Sequence, residues 1–396
     1  MSILFESAHL GQLEIKNRFV RSATYESMAT ERGEVTDDLV RLYRGLAKGE
    51  VGLIIPGYMF VHGLGKASKY QIGIHYDQMV PGLRKLTRAV HEEGGRVVFQ
   101  LMHAGRQTKK STTGHTPLAP SAKGRDPTFF VKPAAMGEAQ IHTVIAAFGQ
   151  AARRAVEAGA DGVQVHAAHG YLLNQFLSPF WNRRDDAWGG SDEKRFRLLR
   201  ETVLAVREAL PAGVPLVVKL STYDGTGRDG VTPELALTYA RWLAELGVDG
   251  LELSSGSTYY SFADMIRGEI PVAELALAFP IWMRPLAKLA LRQKGGKFDL
   301  EEGYNVPASR LIKPEVGETP VMVVGGLRRV AHMEAVLEEG TADLVSMARP
   351  FVREPHLVRR IREGRSTAAA CTSCNKCFAL IAADQPLRCA QLGAAA

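Results

Sequence analysis

Two histidines and a tyrosine, His166, His169 and Tyr171, stand close together in the segment GVQVHAAHGYLLNQFLSPFWNRRDDAWGGS. The apolar start of that segment reads as a buried strand, which sets the three rings at its C-terminal end. One reading is packing, with His166 satisfied in the core and His169 and Tyr171 capping a helix. The other is chemical: two imidazole N–H groups to hold a carbonyl oxygen and a phenol to deliver a proton. Zinc would need a third ligand there, and the sequence points to none.

Three other groups carry chemistry. Lys219 sits inside the apolar run VVKLS, no place for a solvated strand end. VVGGL and SMARPF supply Gly325, Gly326, Ala348 and Arg349. In a barrel, backbone N–H groups and a guanidinium at two such turns form a phosphate cradle. All four cysteines, Cys371, Cys374, Cys377 and Cys389, fall in CTSCNKCFALIAADQPLRC with the spacing C-x2-C-x2-C-x11-C. Four thiolates can surround one tetrahedral zinc or one [4Fe–4S] cube, and spacing alone does not choose between these and unligated thiols.

The elements that must position these groups recur along the chain. Short apolar, β-branched runs bounded by Gly or charge predict eight buried strands over 18–24, 51–58, 96–103, 162–166, 215–221, 250–254, 320–325 and 343–347. Amphipathic stretches over 80–93, 141–158, 192–210, 233–246 and 331–339 read as crossover helices. Eight β/α units predict an α/β fold of the (β/α)8 TIM-barrel type. The surplus length falls in inserted loops over 104–140 and 256–319, both after strand C-terminal ends, where loops build active sites. A barrel unit over 1–365 and a short Cys-rich C-terminal extension over 366–396, packed on the barrel, are the expected organisation. A basic helix over 355–365 joins them.

Composition narrows the class. The 396 residues carry 49 Lys+Arg against 42 Asp+Glu, a formal charge of +7, and 46% are hydrophobic, the balance of a soluble globular chain. No apolar run reaches the ~18 residues of a membrane span, and the N-terminus lacks the basic start and apolar centre of a secretory signal. The positive excess has no dense block, so neither nucleic acid nor membrane is an expected partner. A cytoplasmic location and a homo-oligomeric barrel are expected.

The run quoted first, with LFESAHLGQLEIKNRFVRS at the start and FQLMHAGRQ at the third strand, resembles the Old Yellow Enzyme family of FMN-dependent NAD(P)H:flavin oxidoreductases. The resemblance extends from Leu4 to Leu392 and holds three motifs in order. It implies that the barrel unit binds FMN, with Ser22, Ala23, Thr24 and Tyr25 beside the isoalloxazine, Gly57 and Tyr58 closing the second strand against the ring, and Gln100 hydrogen-bonding the pyrimidine edge. Lys219 occupies the position where the family commonly has Arg beside flavin N1 and O2, keeping the charge without the planar fork. Gly325, Gly326, Ala348 and Arg349 would hold the phosphate.

The activity implied is that of an ene-reductase. NAD(P)H supplies hydride to FMN, and hydride then passes from flavin N5 to the β-carbon of an activated alkene, a small molecule whose carbonyl oxygen His166 and His169 polarise while Tyr171 donates the proton. Within the family, a branch that includes the dienoyl-CoA reductases and trimethylamine dehydrogenase carries a [4Fe–4S] cluster at the cysteines and a further flavin module after them. This sequence ends at Ala396, so an electron-transfer partner, a structural zinc or unligated thiols all stay open. The alternatives to an ene-reductase are an amine-dehydrogenase-like flavoprotein passing electrons through the cluster, and a non-redox phosphate-binding lyase or isomerase using His166 and Lys219.

Overall fold

A computed structural model describes residues 2–125, 131–227, 229–257, 261–293 and 299–392. Its centre is a curled parallel sheet. The strands are β1 (Phe19–Arg21), β2 (Leu53–Ile54), β3 (Val98–Met102), β4 (Gly162–Ala167), β5 (Leu216–Ser221), β6 (Gly250–Ser254), β7 (Val321–Val324) and β8 (Leu344–Met347). Each neighbours the next, β8 returns to β1, and a bridge between Ile54 and Val97 joins β2 to β3 and closes the ring. The (β/α)8 barrel is therefore the fold.

The second strand differs from the expected run over 51–58. It breaks after Leu53–Ile54 and resumes as Met59–Phe60, which pairs with β3 instead. Pro56 interrupts it by removing a ladder donor, and Gly57 turns its N–H to the Glu26 carboxyl at 2.6 Å.

Eight helices stand around the barrel, α1 (Asp37–Lys48), α2 (Val80–His91), α3 (Glu138–Glu157), α4 (Asp192–Ala209), α5 (Pro233–Glu245), α6 (Val306–Ile312), α7 (Val330–Glu338) and α8 (Leu357–Arg362). Their starts follow from capping chemistry. Thr36, Ser191 and Thr232 accept the N–H of Leu39, Lys194 and Leu235, with acids in the first turn against the helix dipole. Sequence reading missed α1 and α6, and also an N-terminal hairpin, Ala8–Leu10 with Leu13–Ile15. Leu10 and Ile15 of that hairpin pack with Val20, Leu53, Val98, Val217, Met322 and Leu344, an apolar floor that plugs the N-terminal end of the barrel.

Side chains alternate along a strand, so residues two positions beyond that floor also face inward. There the character changes. Val98 is followed by Gln100, Val217 by Lys219, and Leu344 by Ser346, all buried. The apolar floor thus carries a polar storey.

The extension is fastened to the barrel's C-terminal face. Its helix α9 (Lys376–Ala382) stacks Phe378 on Phe262, with ring centroids 6.0 Å apart, and pairs Lys376 with Glu274 at 2.9 Å. Inside the 256–319 insertion, the helix Arg284–Arg292 leaves Leu286 and Leu289 largely exposed, and the short turn Ile281–Met283 before it leaves Trp282 so, an apolar ridge of the kind that is uncommon on a lone chain. Among the described residues no helix is long and apolar enough to cross a membrane.

The barrel closes tightly where α1 ends. A Cβ on Gly49 would stand 1.9 Å from the Pro355 carbonyl oxygen and 2.9 Å from the His356 Cα, both backbone atoms that cannot swing aside. Gly49→Ala is expected to destabilise the fold by about 1–3 kcal/mol, read from the shift of the urea unfolding midpoint at unchanged slope.

Candidate active site

Parallel register decides which side chains meet. His166 on β4 stands beside Lys219 on β5, which stands beside Glu252 on β6; Gln100 on β3 stands beside Gln164 on β4. These residues form one buried chain of contacts. Gln100 Nε2 donates to Gln164 Oε1 at 2.5 Å, Gln164 Nε2 donates to Glu252 Oε2 at 3.0 Å, Lys219 Nζ lies 3.1 Å from the same oxygen, and Lys219 Nζ donates to Ser22 Oγ at 2.7 Å.

Above this storey opens a cavity enclosing roughly 1060 Å³ of space free of atoms, its mouth included. Besides Cys377, thirteen of the sequence-predicted residues line it: Ser22, Ala23, Thr24, Tyr25, Tyr58, Gln100, His166, His169, Tyr171, Lys219, Gly326, Ala348 and Arg349. The extension contributes Cys377 to the same wall. Gly57 and Gly325 stand behind the lining. A Cβ on Gly57 would meet the Glu26 carboxyl at 2.3 Å and one on Gly325 the Asn305 side chain at 3.0 Å, so their smallness serves the packing of those two side chains.

The rings gather as the strand end implies. His166 and His169 meet edge to face with centroids 5.1 Å apart, and Tyr171 lies 5.1 Å from His166. Tyr58 fills the space beside them, 5.2 Å from Tyr171 and stacked on Tyr25 at 5.8 Å. Left-handed backbone at His169 and Gly170 (φ +59° and +74°) turns the chain sharply after β4. The turn is tied down, since His169 N–H donates to Ser221 Oγ at 3.0 Å and Gly170 N–H to Asn174 Oδ1 at 2.8 Å.

Electrostatics fix the protonation of both imidazoles. Burial, then His169, then Lys219 hold His166 well below its usual range; burial and then Lys219 do the same to His169. Both are neutral. His166 Nδ1 accepts the Ala168 N–H at 3.3 Å, which leaves its proton on Nε2 as a donor. His169 Nε2 shares a 2.7 Å hydrogen bond with Ser254 Oγ.

At the β7 and β8 ends the lining includes two guanidinium groups. Arg328, which follows the recognised Gly pair and was missed, donates to Ser373 Oγ at 2.8 Å; its signal lay in the GGLRR run. Arg349 spends one nitrogen on the Arg267 carbonyl at 2.8 Å and on Asn375 Oδ1, which narrows the two-pronged grip expected of it. Three residues of the polar storey, Gln164, Glu252 and Ser346, were also absent from the sequence reading.

The cysteines meet their expectation only in place. Among the described residues no group of three His, Cys, Asp or Glu side chains is arranged to hold a metal ion. Arg328 Nη2 and Arg353 Nη1 each approach a sulfur, Cys371 and Cys389, at 3.9 Å. Burial pushes the Cys377 thiol up to about 11, Arg349 pulls it back, and the nearby Cys371 and Cys374 raise it further.

Comparison with known proteins follows the same lines. The model of the NADH:flavin oxidoreductase / NADH oxidase family matches residues 3–263 and 259–368. The 4,4'-dithiodibutanoate disulfide reductase of Rhodococcus erythropolis is 34% identical over 384 residues, 96% of this chain and 93% of that protein. The structure of 2-naphthoyl-CoA reductase bound to 2-naphthoyl-CoA superposes with a TM-score of 0.85 at 25% identity, over 98% of this chain and 56% of that one. The Old Yellow Enzyme homologue of Zymomonas mobilis superposes with a TM-score of 0.75 at 26% identity, over 92% and 93% of the two chains. This chain spans about half, 53% and 52%, of two other curated relatives that it matches.

The buried imidazoles make stability depend on pH. His103, His166 and His169 take up protons near 6.5 when unfolded and resist them when folded, His103 being held down to about 3 by burial, so stability falls as pH drops below 6.5. Glu26, pushed up to about 7 from 4.5 by burial, works with the opposite sign between those values, and three imidazoles outweigh one carboxyl. Urea midpoints are expected to fall between pH 6.5 and 5, and His103→Gln to flatten that fall by up to ~1.4 kcal/mol per pH unit.

Proposed function

This chain belongs to the NADH:flavin oxidoreductase / NADH oxidase family, and on that premise we propose that it is an FMN-dependent ene-reductase, reducing the C=C bond of an α,β-unsaturated carbonyl or similar activated alkene with NAD(P)H. FMN and an NADH-type hydride donor are the cofactors expected of the family. The observation that carries the reading is the single cavity onto which Gln100, His166, His169, Tyr171 and Lys219 converge.

The cavity's polar atoms suit FMN. Gln100 Oε1 and Ser346 Oγ are buried in its wall without a hydrogen-bond partner among the described residues, an acceptor and a hydroxyl set where a heterocycle with N–H and C=O edges would satisfy them. Lys219 adds a cation, and Ser22, Ala23, Gly326 and Ala348 are small enough to bring backbone to the ligand. Bound there, FMN would supply the hydride chemistry that no side chain has.

The protein's own part follows from its protonation states. Neutral His166 presents Nε2–H to a carbonyl oxygen, and His169, aligned by Ser254, stands beside it, so negative charge developing on that oxygen meets fixed dipoles without reorganisation. Tyr171, 3% exposed, holds its phenol within the same ring cluster, where it gives a proton to the substrate α-carbon. Tyr25, Tyr58 and, from α9, Phe378 and Ile381 line the same cavity with apolar surface.

A second reading has one specific support, the disulfide reductase of Rhodococcus erythropolis. A disulfide accepts the same electron pair that an activated alkene does, so it belongs in the substrate panel. Family membership sets aside the non-redox lyase or isomerase. We place the four cysteines as ligands of a [4Fe–4S] cluster, with zinc as the alternative; the donor set suits either in kind, and no step is assigned to the group. A cytoplasmic homo-oligomer, with an electron-transfer partner if the cluster is present, completes the proposal.

Two outcomes test it. Under stopped flow, Tyr171→Phe is expected to slow alkene reduction by ~10²-fold or more while flavin reduction by NAD(P)H stays within about threefold; equal loss in both half-reactions removes Tyr171 from the proton-donor role. Anaerobically purified protein is expected to contain iron and acid-labile sulfide in near-equal amounts, lost in Cys374→Ser. Stoichiometric zinc favours the alternative, and protein that contains neither iron nor zinc refutes the assignment of the cysteines as metal ligands.

A further inference from the structure

Lys219 and Glu252 are 2% and 0% exposed at the side chain, with Nζ and Oε2 3.1 Å apart. An isolated ammonium cannot stay charged so far from water, because losing its hydration costs several kcal/mol more than a neutral amine loses. Among the described residues the charged, titratable or hydrogen-bonding groups facing Lys219 are few. From β1 and the residue after it come Arg21 and the Ser22 hydroxyl, from β4 and the turn after it His166 and His169, and from β6 Glu252. Arg21 is itself a cation, both imidazoles are neutral, and Ser22 is uncharged, so Glu252 is the one anion among them.

Glu252 is also held for that task. Its Oε2 receives Gln164 Nε2 at 3.0 Å as well as the ammonium, and Gln164 is braced in turn by Gln100. Its Oε1 is buried with no hydrogen-bond partner among the described residues, an arrangement that protein packing alone would not favour.

We propose that Glu252 is a positioning residue for the flavin site: the counter-ion that keeps Lys219 a cation in the water-excluded barrel and so sets the positive charge that the site presents. The inference rests on the reading that Lys219 stands beside bound FMN. Lysine needs such a partner because it can shed its proton, whereas arginine at the same position could not.

The test uses FMN-loaded protein and sulfite, which adds to oxidised flavin, bleaches its long-wavelength absorbance and leaves negative charge that a nearby cation stabilises. Sulfite dissociation constants are measured at pH 7 and pH 9 for wild type, Lys219→Met, Glu252→Gln, Lys219→Arg and the double variant Lys219→Arg/Glu252→Gln. Lys219→Met is expected to weaken sulfite binding by ~tenfold or more at both pH values. Glu252→Gln is expected to weaken it by ~tenfold at pH 9 and by less at pH 7, as the lysine loses its proton without its counter-ion. The double variant should stay within about threefold of Lys219→Arg at both, since guanidinium remains charged.

Glu252→Gln that binds sulfite as well as wild type at pH 9, or more tightly, while Lys219→Met is impaired, overturns the counter-ion role and leaves the placement of Lys219 intact. An unimpaired Lys219→Met overturns the placement itself. If Glu252→Gln fails to retain FMN, Glu252→Asp, which withdraws the carboxylate by one methylene, is expected to give a smaller loss of the same sign, and no loss overturns the proposal.

Discussion

Two cations and two carboxyl groups, Arg21, Lys219, Glu26 and Glu252, are buried in or against the upper half of the barrel. Each ion removed from water costs several kcal/mol unless opposite charge and hydrogen bonds replace its hydration. That requirement organises the centre of the molecule. Lys219 meets Glu252 and Ser22; Arg21 donates to the Ile55 carbonyl at 2.7 Å and lies over the Tyr43 ring; Glu26 accepts the Tyr43 hydroxyl and the Gly57 N–H. Partners come from β4, β5 and β6 and from the residues that follow β1 and β2, so the storey is complete only when the ring of strands closes in register. Barrel closure and site assembly are one event.

The reactive rings depend on that storey from above. A cation at Lys219 opposes protonation of both histidines and so preserves the neutral N–H donors. The left-handed turn at His169 and Gly170 aims the second imidazole, and glycine suits it because a side chain at φ +74° would be strained whatever the space around it. The extension completes the enclosure. Leu387 N–H donates to the Glu26 carbonyl at 2.8 Å, and α9 places Cys377 and Phe378 in the cavity wall, so the cysteine segment is physically part of the site rather than an appendage.

The strands were legible because a strand buried on both faces must be apolar and bounded by turn formers; most ends fall within two residues of the expected ones. Strand β2 was the exception, since its apolar run hides the Pro56–Gly57 break that a carboxyl on β1's following loop exploits. Helix α1 carried a readable start, Thr36 before Asp37 and Asp38, yet its interior mixes charge with Leu39, Tyr43 and Leu46 too closely to stand out without the cap. Of the site, the position of the rings at a strand end could be read from the apolar run before them, whereas their chemical reading came from the resemblance to the family, because the spacing of two histidines and a tyrosine suits packing as well. Gln164 and Glu252 could not be read, although each sits at the same inward offset as a recognised neighbour, because pairing between strands far apart in sequence is settled by register. For the cysteines, spacing conveyed proximity and nothing about coordination.

The central claim is that this cavity holds a flavin which the nicotinamide reduces and a substrate reoxidises. The most direct measurement is the visible spectrum of the protein reconstituted with FMN, before and after anaerobic NADPH or NADH and then after an enone. The account predicts a bound yellow chromophore that bleaches with the nicotinamide and recovers its colour with the enone. Protein that does not take up FMN, or flavin that stays oxidised under both nicotinamides, would contradict it.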